Sequence, residues 1–91
     1  MNMEKRLCVR NLDRTTTEND LKSLFSEIGL VESVKIAKEK GLNLSKGYGY
    51  IEMASEAEAR KAIERLNDSD FGGRPIFVEE AEPKMPWEDE I

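Results

Sequence analysis

Eight residues constrain this chain more than any others: Lys46–Met53, Lys-Gly-Tyr-Gly-Tyr-Ile-Glu-Met. They alternate with a period of two. Lys46, Tyr48, Tyr50 and Glu52 point one way, and Gly47, Gly49, Ile51 and Met53 the other. Alternation over this length predicts a half-buried strand. One of its faces is small and aliphatic and suits a core. The other carries two tyrosines between a lysine and a glutamate. Glycine weakens a strand, so two of them call for a slim backbone, and helices packed tightly beneath would require one.

The flanking residues supply the partners of this strand. Leu7-Cys8-Val9-Arg10 alternates as a first strand, with Leu7 and Val9 inward and Cys8 and Arg10 outward. Thr17 is a good N-cap, with Asp20 closing a capping box and Glu18 favourable at the helix start. Leu21, Leu24, Phe25 and Ile28 then form one apolar stripe, which Gly29 is expected to end as a left-handed cap. Residues 31–37 read as a second strand, with Val34 and Ile36 inward and Ser33, Lys35 and Ala37 outward. Residues 38–45 read as a loose connection. Ser55 caps a second helix with Glu58 in the capping-box position, and Ala59, Ala62, Ile63 and Leu66 make its stripe. Residues 68–73 are rich in turn formers. Residues 74–80 read as a last strand, with Ile76 and Val78 inward and Phe77 and Glu79 outward.

This order is βαββαβ, an α+β arrangement of ferredoxin-like type. Right-handed crossovers put both helices on one face of a four-stranded antiparallel sheet. The opposite face is left wet. A cluster of rings on such a face marks a docking surface, because a monomer rarely exposes one otherwise. Flat rings with interspersed cations suit unstacked bases on a phosphate backbone. The bases of a duplex are already stacked and paired.

Residues 46–53 resemble the octamer of the RNA-recognition motif, Lys/Arg-Gly-Phe/Tyr-Gly/Ala-Phe-Val-x-Phe/Tyr. The first four positions match as written, Tyr50 and Ile51 are near matches, and Met53 departs. Leu7–Leu12 resembles the family's hexamer at five of six positions. Cys8 is the exception and stands where the family usually presents a ring. The resemblance covers about residues 5–82. It implies that the first and third strands are central and adjacent, that Tyr50 stacks under a base, and that Tyr48 lies against ribose while Lys46 contacts phosphate. Cys8, Arg10, Lys35 and Phe77 complete the expected RNA-binding face, Phe77 as a displaced platform for the missing ring. The implied partner is single-stranded RNA, or single-stranded DNA of similar form. No cofactor or metal is implied. The compact form resembles small stand-alone members of bacteria and organelles.

Charge refines the reading. The formal charge is −5, which at first argues against a nucleic-acid partner. Residues 79–91 hold Glu79, Glu80, Glu82, Glu88, Asp89 and Glu90 against Lys84 alone, and so carry the whole imbalance. The rest of the 14 basic and 19 acidic side chains leave residues 1–78 neutral. We therefore divide the chain into a motif, 1–82, and an acidic tail, 83–91, which can fold back on the sheet or simply solubilise it. Cys8 is the single cysteine, so no intramolecular disulfide can form, as expected of a reducing, cytoplasmic setting. The N-terminal residues have no apolar run and no stretch is long enough to span a bilayer, so no membrane partner is expected.

Two other functions compete. A protein-binding module of the same fold would explain the missing ring and the acidic surface. Such modules carry Arg-x-Phe before the last strand, however, and Arg74-Pro75-Ile76-Phe77 is one residue too long. An acyl-phosphate hydrolase on this fold would need an anion-cradling loop after the first strand, where the chain has Asn11-Leu12-Asp13-Arg14. With no histidine, no paired cysteines and no phosphate-binding loop, an enzyme is not expected.

Overall fold

The computed structural model describes residues 5–41 and 44–81. The acidic tail lies outside these residues. The elements run β1 (Arg6–Arg10), α1 (Glu18–Ser26), β2 (Val31–Lys38), β3 (Ser45–Met53), α2 (Glu56–Leu66), β4 (Asp70–Phe71), β5 (Arg74–Pro75) and β6 (Phe77–Glu80). Strands β2, β3, β1 and β6 form one antiparallel sheet in that order. The fold is therefore α+β and ferredoxin-like, and β1 and β3 are its central strands.

Burial follows the predicted faces. Leu7, Val9, Ile36, Ile51, Met53 and Val78 come from the sheet, Ile76 from the link between β5 and β6, and Leu21, Phe25, Ala59, Ala62 and Leu66 from the helices; together they build one core. Leu12, just after β1, is buried among them. It gets there because Asn11 turns the chain through the left-handed region (φ 64°), which asparagine tolerates better than most residues. The Asn11 amide donates to the Pro75 carbonyl at 2.7 Å, and the Leu12 N–H donates to the Gly47 carbonyl at 2.8 Å.

The first helix starts as expected. The Thr17 hydroxyl accepts from the Asp20 N–H at 3.1 Å, and the Asp20 carboxylate accepts from the Thr17 N–H at 3.0 Å. Glu18 also accepts from the Ile36 N–H on β2 at 3.1 Å, tying the helix start to the sheet.

Four local expectations need correction. Gly29 is not a left-handed cap, since its φ is not positive. It is small because Glu58 of α2 crosses it: a Cβ there would lie 2.7 Å from the Glu58 side chain. Glu58 in turn does not complete a capping box. Its N–H donates to the Ser55 hydroxyl, but its carboxylate accepts from the Leu30 N–H at 3.2 Å, binding the α1–β2 turn to α2. The segment 74–80 is not one strand. Arg74–Pro75 pairs with Asp70–Phe71 in a separate two-stranded ribbon around a turn at Gly72-Gly73, and β6 starts only at Phe77.

The fourth correction concerns the central glycines. Neighbouring backbone, not a helix, demands them. A Cβ on Gly49 would sit 2.7 Å from the Lys35 carbonyl oxygen and 3.3 Å from the Ile36 Cα, both on β2. The β2–β3 register shifts between Ile36 and Lys38, so that Ile36 faces Gly49 but Lys38 faces Ser45. Gly47 lies in this bulge with φ 86°, a conformation other residues rarely adopt. Its N–H donates to the Ser45 hydroxyl at 2.9 Å. The bulge preserves the alternation, so Tyr48 and Tyr50 still share the open face.

Candidate nucleic-acid interface

The registers lay the open face out in rows. Lys35 on β2 faces Tyr50 on β3, Tyr50 faces Cys8 on β1, and Cys8 faces Glu79 on β6. Two residues further along, on the same face, Arg10 faces Phe77. Tyr48, Tyr50, Cys8 and Arg10 line one shallow depression of about 290 Å³. Five of the seven predicted residues thus lie on two adjoining rows, and Tyr48 joins them at the depression. Lys46 stands apart, exposed at the start of β3 on the far side of the Gly47 bulge.

The tyrosines are half-buried, with ring centroids 6.0 Å apart and planes at 85°, an edge-to-face pair. This geometry leaves them unable to offer one continuous surface. Each ring instead presents its own face or edge to a ligand. The Tyr50 phenol is pushed up to about 12, chiefly by burial, with Cys8 and Tyr48 adding and Arg10 opposing. Like an ordinary tyrosine it is neutral through the physiological range, and it does not repel phosphate.

Phe77 is 42% exposed on the edge strand, as an outward ring should be. Cys8 departs from expectation. It sits on the open face yet is only 6% exposed, small enough to be walled in by its neighbours. Arg10 is exposed, and its guanidinium reaches the Glu79 carboxylate at 2.9 Å. Contact with the Cys8 thiol, and then the Glu79 charge, hold Arg10 firmly protonated. The sequence placed Glu79 outward beside Phe77 but gave no reason to single it out. That signal becomes visible only when the register sets it against Cys8 and within reach of Arg10.

A sequence profile of the RNA recognition motif matches residues 7–76. The chain belongs to the RNA recognition motif family. Within this family it is 36% identical over 76 residues to the putative RNA-binding protein RbpA of Nostoc sp., covering 84% of this chain and 74% of that one. It is 38% identical over 88 residues to the chloroplastic RNA-binding protein CP33 of Arabidopsis thaliana, covering 97% of this chain. There the motif spans only 27% of the relative's length. The crystal structure of RNA binding protein PG1 superposes with a TM-score of 0.84 at 36% identity, covering 90% of this chain and 98% of that one.

The missing ring at position 8 gives a test of the motif's layout. Cys8→Phe is expected to tighten binding to oligouridine by at most about tenfold, since a new platform beside Tyr50 gains stacking less the cost of ordering another nucleotide. Fluorescence anisotropy on a labelled oligonucleotide reads it. Weaker binding by a folded variant would mean that this position needs a small residue.

Proposed function

We propose that this RNA recognition motif binds single-stranded RNA on the open face of its sheet. Tyr50 stacks under a base, Tyr48 lies against the adjoining ribose, and Lys46 meets a phosphate. Lys35 and Arg10 supply positive charge on either side of the rings, and Phe77 offers a further platform at the β6 edge. The observation that carries this reading is the pair of half-buried tyrosines standing edge to face beside Arg10 on one depression. The RNA-binding relatives support the same partner.

The site has the right chemistry for unpaired nucleotides. Every base has a π-face for Tyr50, whereas a duplex hides those faces in its own stack. The test compares a labelled single strand with the duplex of the same sequence. Tighter binding of the single strand by about tenfold or more is expected, and equal binding would overturn the reading. A single-stranded DNA of the same sequence measures what the 2′-hydroxyls add.

The acidic tail enters as a competitor. Glu82, Glu88, Asp89 and Glu90 mimic phosphates, Trp87 mimics a base, and the tail follows directly on β6 at high effective concentration. Truncation after Ala81 keeps the Ala81 N–H bond to the Arg6 carbonyl at 2.8 Å, and with it the end of the sheet. The truncated protein is expected to bind RNA several-fold more tightly, with the gain largest at low salt. An affinity unchanged at every salt concentration would assign the tail to solubility alone.

A further inference from the structure

The pair formed by Arg10 and Glu79 has no place in a face built only for stacking. A carboxylate beside a phosphate path repels RNA, and it also occupies the arginine that would otherwise meet the backbone. Its position explains what it can do. Glu79 faces Cys8 in register, and Arg10 lies two residues along β1 from Cys8, on the same face. The two charged groups meet at 2.9 Å and remain more than half exposed, with side-chain exposures of 62% and 53%. They rise from the sheet beside a residue too small to rise with them.

This small residue changes how a base can be held there. A ring at position 8 would fill the level just above the sheet and offer its face. Cys8 leaves that level open, as part of the depression it shares with Arg10, Tyr48 and Tyr50. A base entering the depression meets Tyr50 on one side and the Arg10 guanidinium at its edge, and the guanidinium brings the Glu79 carboxylate with it, 2.9 Å away. It is then read by hydrogen bonds and not only by stacking.

The chemistry of that edge selects among the bases. A guanidinium offers two parallel N–H donors and seeks two neighbouring acceptors. A carboxylate offers two acceptors and seeks two neighbouring donors. Guanine alone satisfies both on adjoining edges: O6 and N7 accept from an arginine, and N1–H and the 2-amino group donate to a carboxylate. Adenine, cytosine and uracil each lack either the paired donors or the paired acceptors. We infer that Arg10 and Glu79 form a guanine-reading pair over Cys8, giving this face a preference for single-stranded RNA that carries a guanosine at that position. The inference rests on the reading of the open face as an RNA site.

The test uses the full chain and a short labelled oligouridine, either unsubstituted or with one central guanosine, adenosine, cytidine, inosine or 7-deazaguanosine. Inosine lacks the 2-amino donor that Glu79 would engage, and 7-deazaguanosine lacks the N7 acceptor that Arg10 would engage. The guanosine RNA is expected to bind about tenfold more tightly than the adenosine and cytidine RNAs, and several-fold more tightly than either analogue. Glu79→Ala should erase the distinction between guanosine and inosine while leaving oligouridine binding equal or stronger. Arg10→Ala should erase the distinction between guanosine and 7-deazaguanosine. Both side chains are exposed, so both variants should fold, which circular dichroism checks. Equal binding of all substituted RNAs by the wild type overturns the inference alone. So does a Glu79→Ala variant that gains affinity for every RNA and keeps the full guanosine-to-inosine ratio, because Glu79 would then be only a counter-charge. A wild type that binds no RNA overturns the inference together with the reading beneath it.

Discussion

Tyr50→Ala is expected to weaken single-stranded RNA binding by about one to two decades while the protein stays folded. A base stacked on an aromatic side chain is worth roughly 1–3 kcal/mol by alanine substitution, and about 1.4 kcal/mol corresponds to a factor of ten. Tyr50 is the ring best placed to supply that stacking. It occupies the middle of the sheet, with Lys35 across one strand boundary and Cys8 across the other. Its ring belongs to the open face, outside the core cluster beneath the sheet, so truncation removes ligand surface without opening a cavity among the buried residues. Tyr50→Phe separates stacking from the hydroxyl: it should retain most of the affinity if the ring face does the binding. Anisotropy titrations with both variants, alongside thermal melts, make the comparison. An unchanged dissociation constant for a folded Tyr50→Ala variant would remove Tyr50 from the site.

Most of what positions this site was legible in the sequence because it depends on periodicity. Alternation in Leu7–Arg10 and Lys46–Met53 assigned the inward and outward faces, and the stripes Leu21/Phe25 and Ala59/Ala62 placed the helices on the inward one. These are short-range patterns with one physical cause, the burial of apolar surface on one side of an element. What the sequence did not disclose depends on contacts between distant residues. Gly29 is small because Glu58 lies against it, 29 residues further along the chain, and no local rule distinguishes this from a helix cap. Arg74-Pro75 looks continuous with Phe77 until Asn11 is seen to hold the Pro75 carbonyl and Asp70–Phe71 to pair with it. In the sequence Cys8 is only a missing platform, because its type is wrong for stacking. Only the register shows Glu79 opposite it and Arg10 beside it, paired at 2.9 Å.

The central glycines show how a fold requirement becomes a site requirement, and Gly49→Ala isolates it. The residue faces Ile36 in register, directly before Tyr50 faces Lys35. An added methyl would lie 2.7 Å from the Lys35 carbonyl oxygen and 3.3 Å from both the Cα and Cγ1 of Ile36. Real Cβ atoms essentially never approach so closely, and the nearest obstacle is backbone, which cannot swing aside as a side-chain end can. Strand β2 must therefore retreat from β3, or β3 must rotate about Gly49. Either movement strains the Lys35–Tyr50 pair and the buried contacts of Ile36 and Ile51. Overpacking of this kind typically costs about 1–3 kcal/mol. Gly49→Ala is thus expected to lower stability by roughly that amount and, because the displaced strands carry Tyr50, to weaken RNA binding as well. Gly41→Ala is the matched control. Gly41 also relies on its lack of a side chain, with φ 75°, but no described residue lies within 4 Å of its Cβ position, and it stands in the β2–β3 connection. That substitution should cost only the backbone strain of one residue, on the order of 1 kcal/mol, with little change in affinity. Chemical denaturation and anisotropy on the two variants give the four numbers needed. If Gly49→Ala proves as stable as the wild type, or loses stability with RNA binding untouched, the close approach of β2 to β3 does not set the position of Tyr50.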